Sequence, residues 1–349
     1  MTASRAVHVF FFCHICGLAQ NPHPAFSTIY SFAGGSDGAS PRVRLTVGSG
    51  GVLYGTTYGG GDDNVGTVFS LTPPVSPGGA WTHTMLHTFT IGDGAYPNSR
   101  LVPGRDGVLY GTTSSGGTSQ FGTVFSMTAP ASPGGTWTEA VLHSFGAVGY
   151  GAAPRGGLAL GPMGVLYGAT HYGGNMGLGA VFALQPPASP DGAWTESVVY
   201  SFQGGGVDGE IPYSSVTMGS GGILYGTTWS GGTSGFGTVY SLAPPAIPGG
   251  AWTETVLHSF AGGRDGQNPG VGVAIGADGV LYGSTNYGGG SNGGTIYSLT
   301  PSAGGWTEAV IHEFPRISGR YPAPGPVTIA PSGALYGTTQ FGGASYCGT

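Results

Sequence analysis

A sixfold internal repeat constrains the fold of this chain more than any other feature. The tripeptide Leu-Tyr-Gly recurs every 54 to 58 residues, with its tyrosine at Tyr54, Tyr110, Tyr167, Tyr225, Tyr282 and Tyr336. A proline precedes each copy, and we number the repeats 1 to 6 in the order of these prolines, which are Pro41, Pro97, Pro154, Pro212, Pro269 and Pro322. Six copies at a nearly constant spacing indicate one repeat array rather than several unrelated domains.

Composition excludes most other ways of folding such an array. Glycine and proline account for 73 and 26 of the 349 residues, and both weaken a helix interior. The glycines do not fall at every third position, as collagen requires. A hydrophobic share of 39% is enough for a packed core, which disordered chains lack. An all-β chain with many tight turns remains.

The charge balance argues against a nucleic-acid partner. The chain has nine arginines, no lysine and a net charge of −6. A nucleic-acid-binding surface needs a concentrated basic patch that neutralises phosphates, whereas these arginines are scattered along the sequence. We therefore expect no nucleic acid among the partners.

Each repeat contains the pattern of four short strands. Examples are a small apolar segment at 271–275, the Leu-Tyr-Gly segment at 52–57, a Gly-Thr-Val-Phe segment at 66–71 and a Trp-Thr-Glu segment at 252–260. Four strands in a repeat of this length predict a β-propeller with one blade per repeat. A solenoid is the alternative, although its repeats are usually shorter. The repeated tyrosine is expected to be buried between blades.

The two ends of the chain suggest how the array closes. Residues 25–32 match the fourth strand of the repeat, although they precede repeat 1, and the chain stops at 348–349, where a third strand would begin. We predict a single propeller over 25–349 with six blades of about four strands. Its incomplete last blade would be closed by the N-terminal strand, so that 26–32 share a sheet with 323–339. A truncated chain, or the apolar run at 6–12 filling the gap, are the alternatives.

Residues 1–24 have the pattern of a signal peptide or leader. One arginine is followed by an apolar stretch and by small residues before a cleavage position after Ala19. The stretch is too short to span a membrane, so we expect no transmembrane segment. We predict a secreted or cell-surface protein. Cys13 and Cys16 form a C-x-x-C pair, which we interpret as part of the leader because no second ligand pair accompanies it.

The repeat resembles a known family, the GloVer (Gloeo/Verruco) tandem repeat of secreted bacterial proteins. The resemblance covers residues 26–349 and rests on the core Asp-Gly-Val-Leu-Tyr-Gly-Thr-Thr, the Gly-Thr-Val-Phe run and the closing Ser-Phe. It also rests on the Asp-Gly pairs at Asp37, Asp93, Asp208 and Asp265. The resemblance implies a propeller-like fold and an envelope or extracellular location, and it transfers no catalytic residue.

Three polar series occupy fixed positions in the repeats. The first comprises His87, His143, His258 and His312, with Tyr30 and Tyr200 in the other copies. Because tyrosine replaces histidine, we expect half-buried packing rather than a metal site. The second comprises Glu139, Glu196, Glu254 and Glu308, which we interpret as solvated charges on outer strands. The third comprises the four aspartates of the Asp-Gly turns, where calcium is an alternative to a turn that bonds its own backbone.

Two adjacent positions after the Leu-Tyr-Gly strand vary between copies and usually carry an aromatic residue. These aromatics are Tyr58, Tyr172, Trp229, Tyr287 and Phe341. In a propeller this loop shares a face with the Asp-Gly loop, so the predicted ligand-binding residues are these rings together with Asp37, Asp93, Asp208 and Asp265. The alternative is that the rings pack over neighbouring blades.

The function predicted from this face is that of a monomeric, non-enzymatic binding module without a cofactor. Its ligand would be an extracellular glycan or protein, and rings next to carboxylates favour carbohydrate. The competing hypothesis is an extracellular carbohydrate-active enzyme, a hydrolase or lyase, with facing acids at the mouth of the central channel.

Overall fold

The computed structural model describes residues 28–132, 134–146, 151–189, 192–247, 249–315, 320–322 and 327–341. Within these ranges the chain is almost entirely antiparallel β-structure, as the sequence predicts. The helical segments are short 3-10 turns at Gly35–Asp37, Ser49–Gly51, Arg105–Gly107, Pro162–Gly164, Ser220–Gly222 and Gly263–Asp265. No helix in the described ranges has the length and apolar character that crossing a bilayer requires.

Repeats 1 to 3 each form an antiparallel sheet; strands pair in chain order in sheet 1, whereas β5 and β6 both pair with β7 in sheet 2 and β12 pairs with β14 in repeat 3. Sheet 1 contains β1 (Thr46–Val47), β2 (Leu53–Thr57), β3 (Thr67–Thr72) and β4 (Thr82–Thr88). Sheet 2 contains β5 (Ala95–Pro97), β6 (Val102–Pro103), β7 (Leu109–Ser115), β8 (Thr123–Thr128) and β9 (Thr138–Ser144). Repeat 3 contains β10 (Gly151–Ala152), β11 (Ala159–Leu160), β12 (Leu166–Thr170), β13 (Tyr172–Gly173), β14 (Ala180–Gln185) and β15 (Thr195–Ser201), where β10 pairs with β13 apart from the main sheet.

Repeats 4 and 5 continue the same pattern, and the described part of repeat 6 has four short strands in two separate pairs. Sheet 4 contains β16 (Gly209–Pro212), β17 (Thr217–Met218), β18 (Leu224–Gly231), β19 (Thr238–Ala243) and β20 (Thr253–Ser259). Sheet 5 contains β21 (Ala274–Ile275), β22 (Leu281–Thr285), β23 (Thr295–Ser302) and β24 (Gly305–Glu313). Repeat 6 contains β25 (Arg320–Pro322), β26 (Thr328–Ile329), β27 (Leu335–Tyr336) and β28 (Thr339–Phe341), paired β25 with β28 and β26 with β27.

The glycine of Leu-Tyr-Gly is required by close packing inside sheets 1 to 5. Gly55 pairs with Phe69 across β2 and β3, and a Cβ atom at Gly55 would lie 2.6 Å from the ring of Phe69. The same contact recurs between Gly111 and Phe125, at 2.4 Å. Any side chain at this position in repeats 1 to 5 would displace the buried aromatic ring, whereas a Cβ atom at Gly337 in repeat 6 would meet only Val327, at 3.8 Å.

The repeated tyrosines lie between consecutive sheets, where they are largely rather than fully buried. The ring of Tyr54 meets Trp137 of the next repeat with 5.6 Å between centroids, and the ring of Tyr167 meets Trp252 at 5.8 Å. The partner tryptophan stands at the start of an outer strand, where solvent reaches the ring pair. The tyrosines are therefore largely but not completely buried, as the identical position in every repeat predicts.

The core is divided into layers between successive sheets. Phe89 closes β4 of repeat 1 and packs on Phe125 of repeat 2, with 5.0 Å between ring centroids. Phe202 of repeat 3 meets Tyr240 of repeat 4 at 5.0 Å, and both side chains are fully buried. Burying one such ring contributes roughly 1.5–3 kcal/mol. Sheets that pack face to face in chain order define a propeller-like fold.

The predicted closure is not seen among the described residues. Residues 28–32 form no strand there and pair with none of β25 to β28. Phe32 nevertheless packs on Phe69 at 4.9 Å, the position that Phe89 takes against Phe125 one repeat later. The segment thus covers the side of sheet 1 that faces away from sheet 2. The closed arrangement of six blades stays a prediction. The predicted leader at 1–24 and the last residues, 342–349, lie outside the described residues.

Candidate functional site

Two loops of each repeat lie side by side on one face of the array. The loop after the fourth strand carries the Asp-Gly turn, and the loop after the Leu-Tyr-Gly strand carries the variable positions. Backbone pairing joins Ala39 to Gly59 in repeat 1 and Gln267 to Tyr287 in repeat 5. In repeat 3 the pairing of β10 with β13 makes the same link. The variable positions therefore sit next to the Asp-Gly loops.

The residue before each repeat's proline has a left-handed backbone. The φ angles are 57° at Ser40, 59° at Tyr96, 53° at Ala153, 59° at Ile211, 55° at Asn268 and 53° at Tyr321. This conformation is unfavourable for a residue with a Cβ atom, and more so before proline. In return, the backbone N–H of Tyr96 donates to the carbonyl of Val65 at 2.6 Å, and that of Ala153 donates to Phe121 at 2.8 Å. These bonds tie each loop to the preceding repeat.

Seven aromatic side chains form a continuous series across repeats 3 to 6, which we call the ring series. In order of contact they are Tyr172, His171, Tyr213, Trp229, Tyr287, Tyr321 and Phe341, with neighbouring centroids 4.3 to 6.3 Å apart. Most neighbours meet edge to face, which the ring quadrupoles favour. Tyr172 and Phe341 are 51% and 44% exposed, and Trp229 is half-buried. The series thus presents ring surface to solvent.

The fifth predicted aromatic, Tyr58, lies outside this series in a stacked pair. Its ring is 5.0 Å from that of Tyr96, at an interplanar angle of 25°. The guanidinium carbon of Arg42 lies 4.1 Å from the centroid of Tyr58, an arrangement typical of a cation–π contact. The structure therefore brings Tyr172, Trp229, Tyr287 and Phe341 into one series and leaves Tyr58 in a second aromatic pair.

The four predicted aspartates accept hydrogen bonds from their own turns. Asp208 is buried and accepts from the backbone of Gln203 at 2.7 Å, from Gly209 at 2.6 Å and from the hydroxyl of Tyr200 at 3.0 Å. Asp265 accepts from the backbone of Ala261 at 2.5 Å. These bonds hold the turn that leads from one sheet to the next. Asp37 and Asp93 accept backbone N–H groups in the same way.

The histidine and tyrosine series meets these aspartates directly. His258 Nε2 lies 3.0 Å from an oxygen of Asp265, and His87 Nε2 lies 3.2 Å from Asp93. Tyr30 donates its hydroxyl to Asp37 in the corresponding position. Tyrosine and histidine are interchangeable here because both can donate to the carboxylate. The half-buried position that the sequence predicts therefore has a hydrogen-bonding role as well.

The glutamate series is not a row of solvated charges, and that expectation is wrong. The side chain of Glu196 is only 5% exposed, and it lies 3.2 Å from Nε2 of His143 in the preceding repeat. Burial, followed by the charge of Asp93, raises the pKa of Glu139 to about 7. Burial, followed by Asp208, raises the pKa of Glu254 to about 7. Glu139, Glu254 and Glu308 lie near the polar pair of the preceding repeat and Glu196 lies near His143, so the three series form clusters between sheets.

One of these clusters has the geometry to hold a divalent cation. Single ligand atoms of His87, Asp93 and Glu139 all lie within 4.8 Å of one another. Burial is the main effect on His87 and lowers its pKa, which keeps the imidazole neutral and able to ligate. No equivalent trio was found among the other described residues.

An inner cavity of about 340 Å³ opens between the segments that follow the repeat prolines. Its lining comes from repeats 1 to 5 and includes Arg44, Arg100, Arg155, Tyr213, Ser215 and Val271. Arg155 donates from Nη1 to the hydroxyl of Tyr213 at 3.1 Å. Tyr213 also belongs to the ring series, so the cavity and the series are contiguous. The residues found to line the cavity include no carboxylate, so the facing acids expected for an enzyme are not seen there.

The sequence contained weak signals for the residues that its interpretation missed. Tyr96 and Tyr321 directly precede a repeat proline, and Tyr213 directly follows one. Arg44 and Arg100 both stand three positions after their proline. Because the copies align on the proline, side chains at the same distance from it are expected to occupy equivalent places in the fold.

Sequence comparison establishes the repeat family. The family model described as the Gloeobacter/Verrucomicrobia repeat matches residues 20–221 and 164–349. The chain therefore belongs to this family, and the resemblance seen in the sequence is confirmed. No curated protein matches the sequence.

Two solved structures share the fold at low identity. The extracellular domain of a proposed hybrid two-component system, BT3049 from B. thetaiotaomicron, is 13% identical, with a TM-score of 0.52 over 90% of this chain and 33% of that one. A proposed 6-phosphogluconolactonase from Bacteroides uniformis is 14% identical, with a TM-score of 0.50 over 87% of this chain and 81% of that one. These likenesses concern the fold alone.

Proposed function

We propose that this protein is a non-enzymatic carbohydrate-binding module whose ligand lies along the ring series. The observation that carries the proposal is a continuous row of rings on adjacent repeats, in which His171 is buried and the other six rings are partly exposed. Aromatic faces offer large, rigid contact area at a low cost in side-chain entropy. Sugar rings present apolar C–H faces that such platforms accommodate, and a row of rings suits an oligosaccharide better than a single sugar.

The structural elements that hold the ring series in place, which we call the frame, support this proposal. The left-handed residues and their inter-repeat hydrogen bonds fix the loops, and Asp208 and Asp265 hold the turns beside them. We assign these aspartates, with Asp37 and Asp93, a positioning role next to the bound sugar. A calcium-dependent mode of binding is no part of the proposal. An extracellular location, with residues 1–24 as the leader, and a monomeric state belong to the same proposal.

Binding to immobilised oligosaccharides tests the function. We expect Trp229→Ala to weaken binding about tenfold or more, because Trp229 contacts both Tyr213 and Tyr287 in the middle of the series. Met163→Ala is the matched control, since Met163 is 84% exposed in the turn before β12, whereas the ring-series residues His171 and Tyr172 follow β12. Full-strength binding by the Trp229 variant, or equal losses in both variants, would rule out the ring series as the binding surface.

A further inference from the structure

The inner cavity concentrates positive charge in an acidic protein. Three of the nine arginines in the chain, Arg44, Arg100 and Arg155, line this one space. The net charge of the whole chain is −6, so a chance distribution would place carboxylates there as well. Each of these arginines lies in a different repeat, and only the fold brings them together.

These arginines have no carboxylate partner within the described part of the chain. The ion pairs found there join histidines to aspartates or glutamates. Arg100 makes a long contact from Nε to the hydroxyl of Thr46 at 3.4 Å. Arg155 bonds only the neutral hydroxyl of Tyr213, and its buried Nε has no hydrogen-bond partner. Among the described residues, Arg100 and Arg155 therefore keep donors free for a ligand.

The charges are close enough to oppose one another. Desolvation, followed by the charge of Arg44, lowers the pKa of Arg100. Grouping like charges without a counter-charge costs free energy, and an anion in the same space removes that cost. Guanidinium groups also match carboxylate, sulfate and phosphate oxygens by paired hydrogen bonds.

We propose that the inner cavity is an oxyanion-binding site that receives the acidic group of the ligand. Resting on the proposed function, this makes the ligand an acidic oligosaccharide that carries a carboxylate or a sulfate. Tyr213 joins the two parts of the site, because its ring contacts Trp229 and its hydroxyl accepts from Arg155. The cavity volume of about 340 Å³ lies at the lower end of the roughly 300–1,000 Å³ typical of small-molecule sites.

The test uses matched probes and matched variants of the full chain. The probes are an oligogalacturonate, its methyl-esterified form, a sulfated oligosaccharide and inorganic phosphate, each titrated by calorimetry at low salt. The variants are Arg44→Gln/Arg100→Gln/Arg155→Gln and, as the control, Arg105→Gln/Arg264→Gln, two exposed arginines in 3-10 turns that do not line the cavity.

We expect an acidic oligosaccharide to bind at least tenfold more tightly than the methyl ester. The triple variant should lose most of that preference and the control none of it, because each charge-assisted hydrogen bond is worth about tenfold or more in affinity. Thermal unfolding of each variant without ligand would show whether the protein remains folded.

The outcomes separate this inference from the proposed function. Equal binding of the acid and its ester, with loss in Trp229→Ala, would overturn the oxyanion site and leave the carbohydrate module standing. Phosphate binding that requires the three arginines, without binding of any oligosaccharide, would support the oxyanion site and reject the module. Absence of binding by every probe, or unchanged binding in the triple variant, would overturn the oxyanion site.

Discussion

The layers between the sheets and the segments that follow the repeat prolines are built from the same repeats but differ in how uniform their residues are. Between the sheets, one position holds Phe89, Phe145, Phe202 or Phe260 in successive repeats, all fully buried. In the segments that follow the prolines, the first residue is Arg42, Asn98, Arg155, Tyr213 or Gly270 in successive repeats. Uniform positions carry contacts that every repeat must make, and variable positions are free to create one local surface.

The polar clusters between the sheets also make the same contact in successive repeats, although the residues that make it are substituted. His258 or Tyr200 meets an aspartate, and a glutamate of the next repeat packs against the pair. In repeat 1 His83 takes the place of that glutamate and lies 3.6 Å from Asp37. The charge changes while the contact remains, which marks these clusters as part of the frame. Three predictions test whether the frame and the variable surface are separable.

The largest expected effect is on the frame. Phe202→Ala should lower the free energy of unfolding by about 3–5 kcal/mol, because it opens a cavity next to Tyr240. Urea unfolding followed by tryptophan fluorescence would measure the change. Tyr172→Ala is the comparison, with an expected change below about 1 kcal/mol since Tyr172 is 51% exposed. Similar losses in the two variants would mean that the ring series is structural.

An intermediate effect is expected from pH. The pKa of Glu254 is about 7 in the folded protein, above its unfolded value of about 4.5, so the folded state holds the proton more tightly. Stability from this group is therefore present at pH 5 and is lost as the pH rises through 7. Solvent screening at this half-buried site reduces the loss to about 1–2 kcal/mol.

Glu254→Gln isolates that contribution, because the amide cannot titrate. Melting temperatures compared at pH 5 and pH 8 should differ less in this variant than in the unmodified protein. Glu313→Gln, on the neighbouring sheet 5, serves as the control. If the Glu254 variant keeps the full pH dependence, the glutamate does not hold a proton between the sheets.

The smallest expected effect is on stability at the inner cavity. Replacing Arg44, Arg100 and Arg155 with glutamine should change the free energy of unfolding by less than about 0.5 kcal/mol. The sign should be stabilising at low salt, because like charges are removed, and the gain should disappear at 1 M salt. Denaturant unfolding at both salt concentrations measures this, and a loss of several kcal/mol would place the arginines in the frame.

The sequence by itself determined the repeating parts of this protein. Its period predicts the strands closely: 52–57 against β2 (Leu53–Thr57), and 252–260 against β20 (Thr253–Ser259). The first strand was overestimated, since 271–275 reduces to β21 (Ala274–Ile275). Local patterns of alternation and glycine placement specify strands and turns because those depend on neighbours along the chain. Four members of the ring series follow from the same periodicity, and the family follows from the resemblance of the repeated motif.

Only the tertiary structure decided which side chains from different repeats meet. Glu139 approaches His87 and Asp93, and Arg44 approaches Arg100, because successive sheets pack face to face and bring equivalent positions of neighbouring repeats together. Along the sequence these arginines look scattered, and the glutamates look like edge charges. Contacts between repeats depend on how the sheets are arranged in space, and periodicity along one chain does not encode that arrangement. The clusters and the arginine-lined cavity therefore became visible only in the fold.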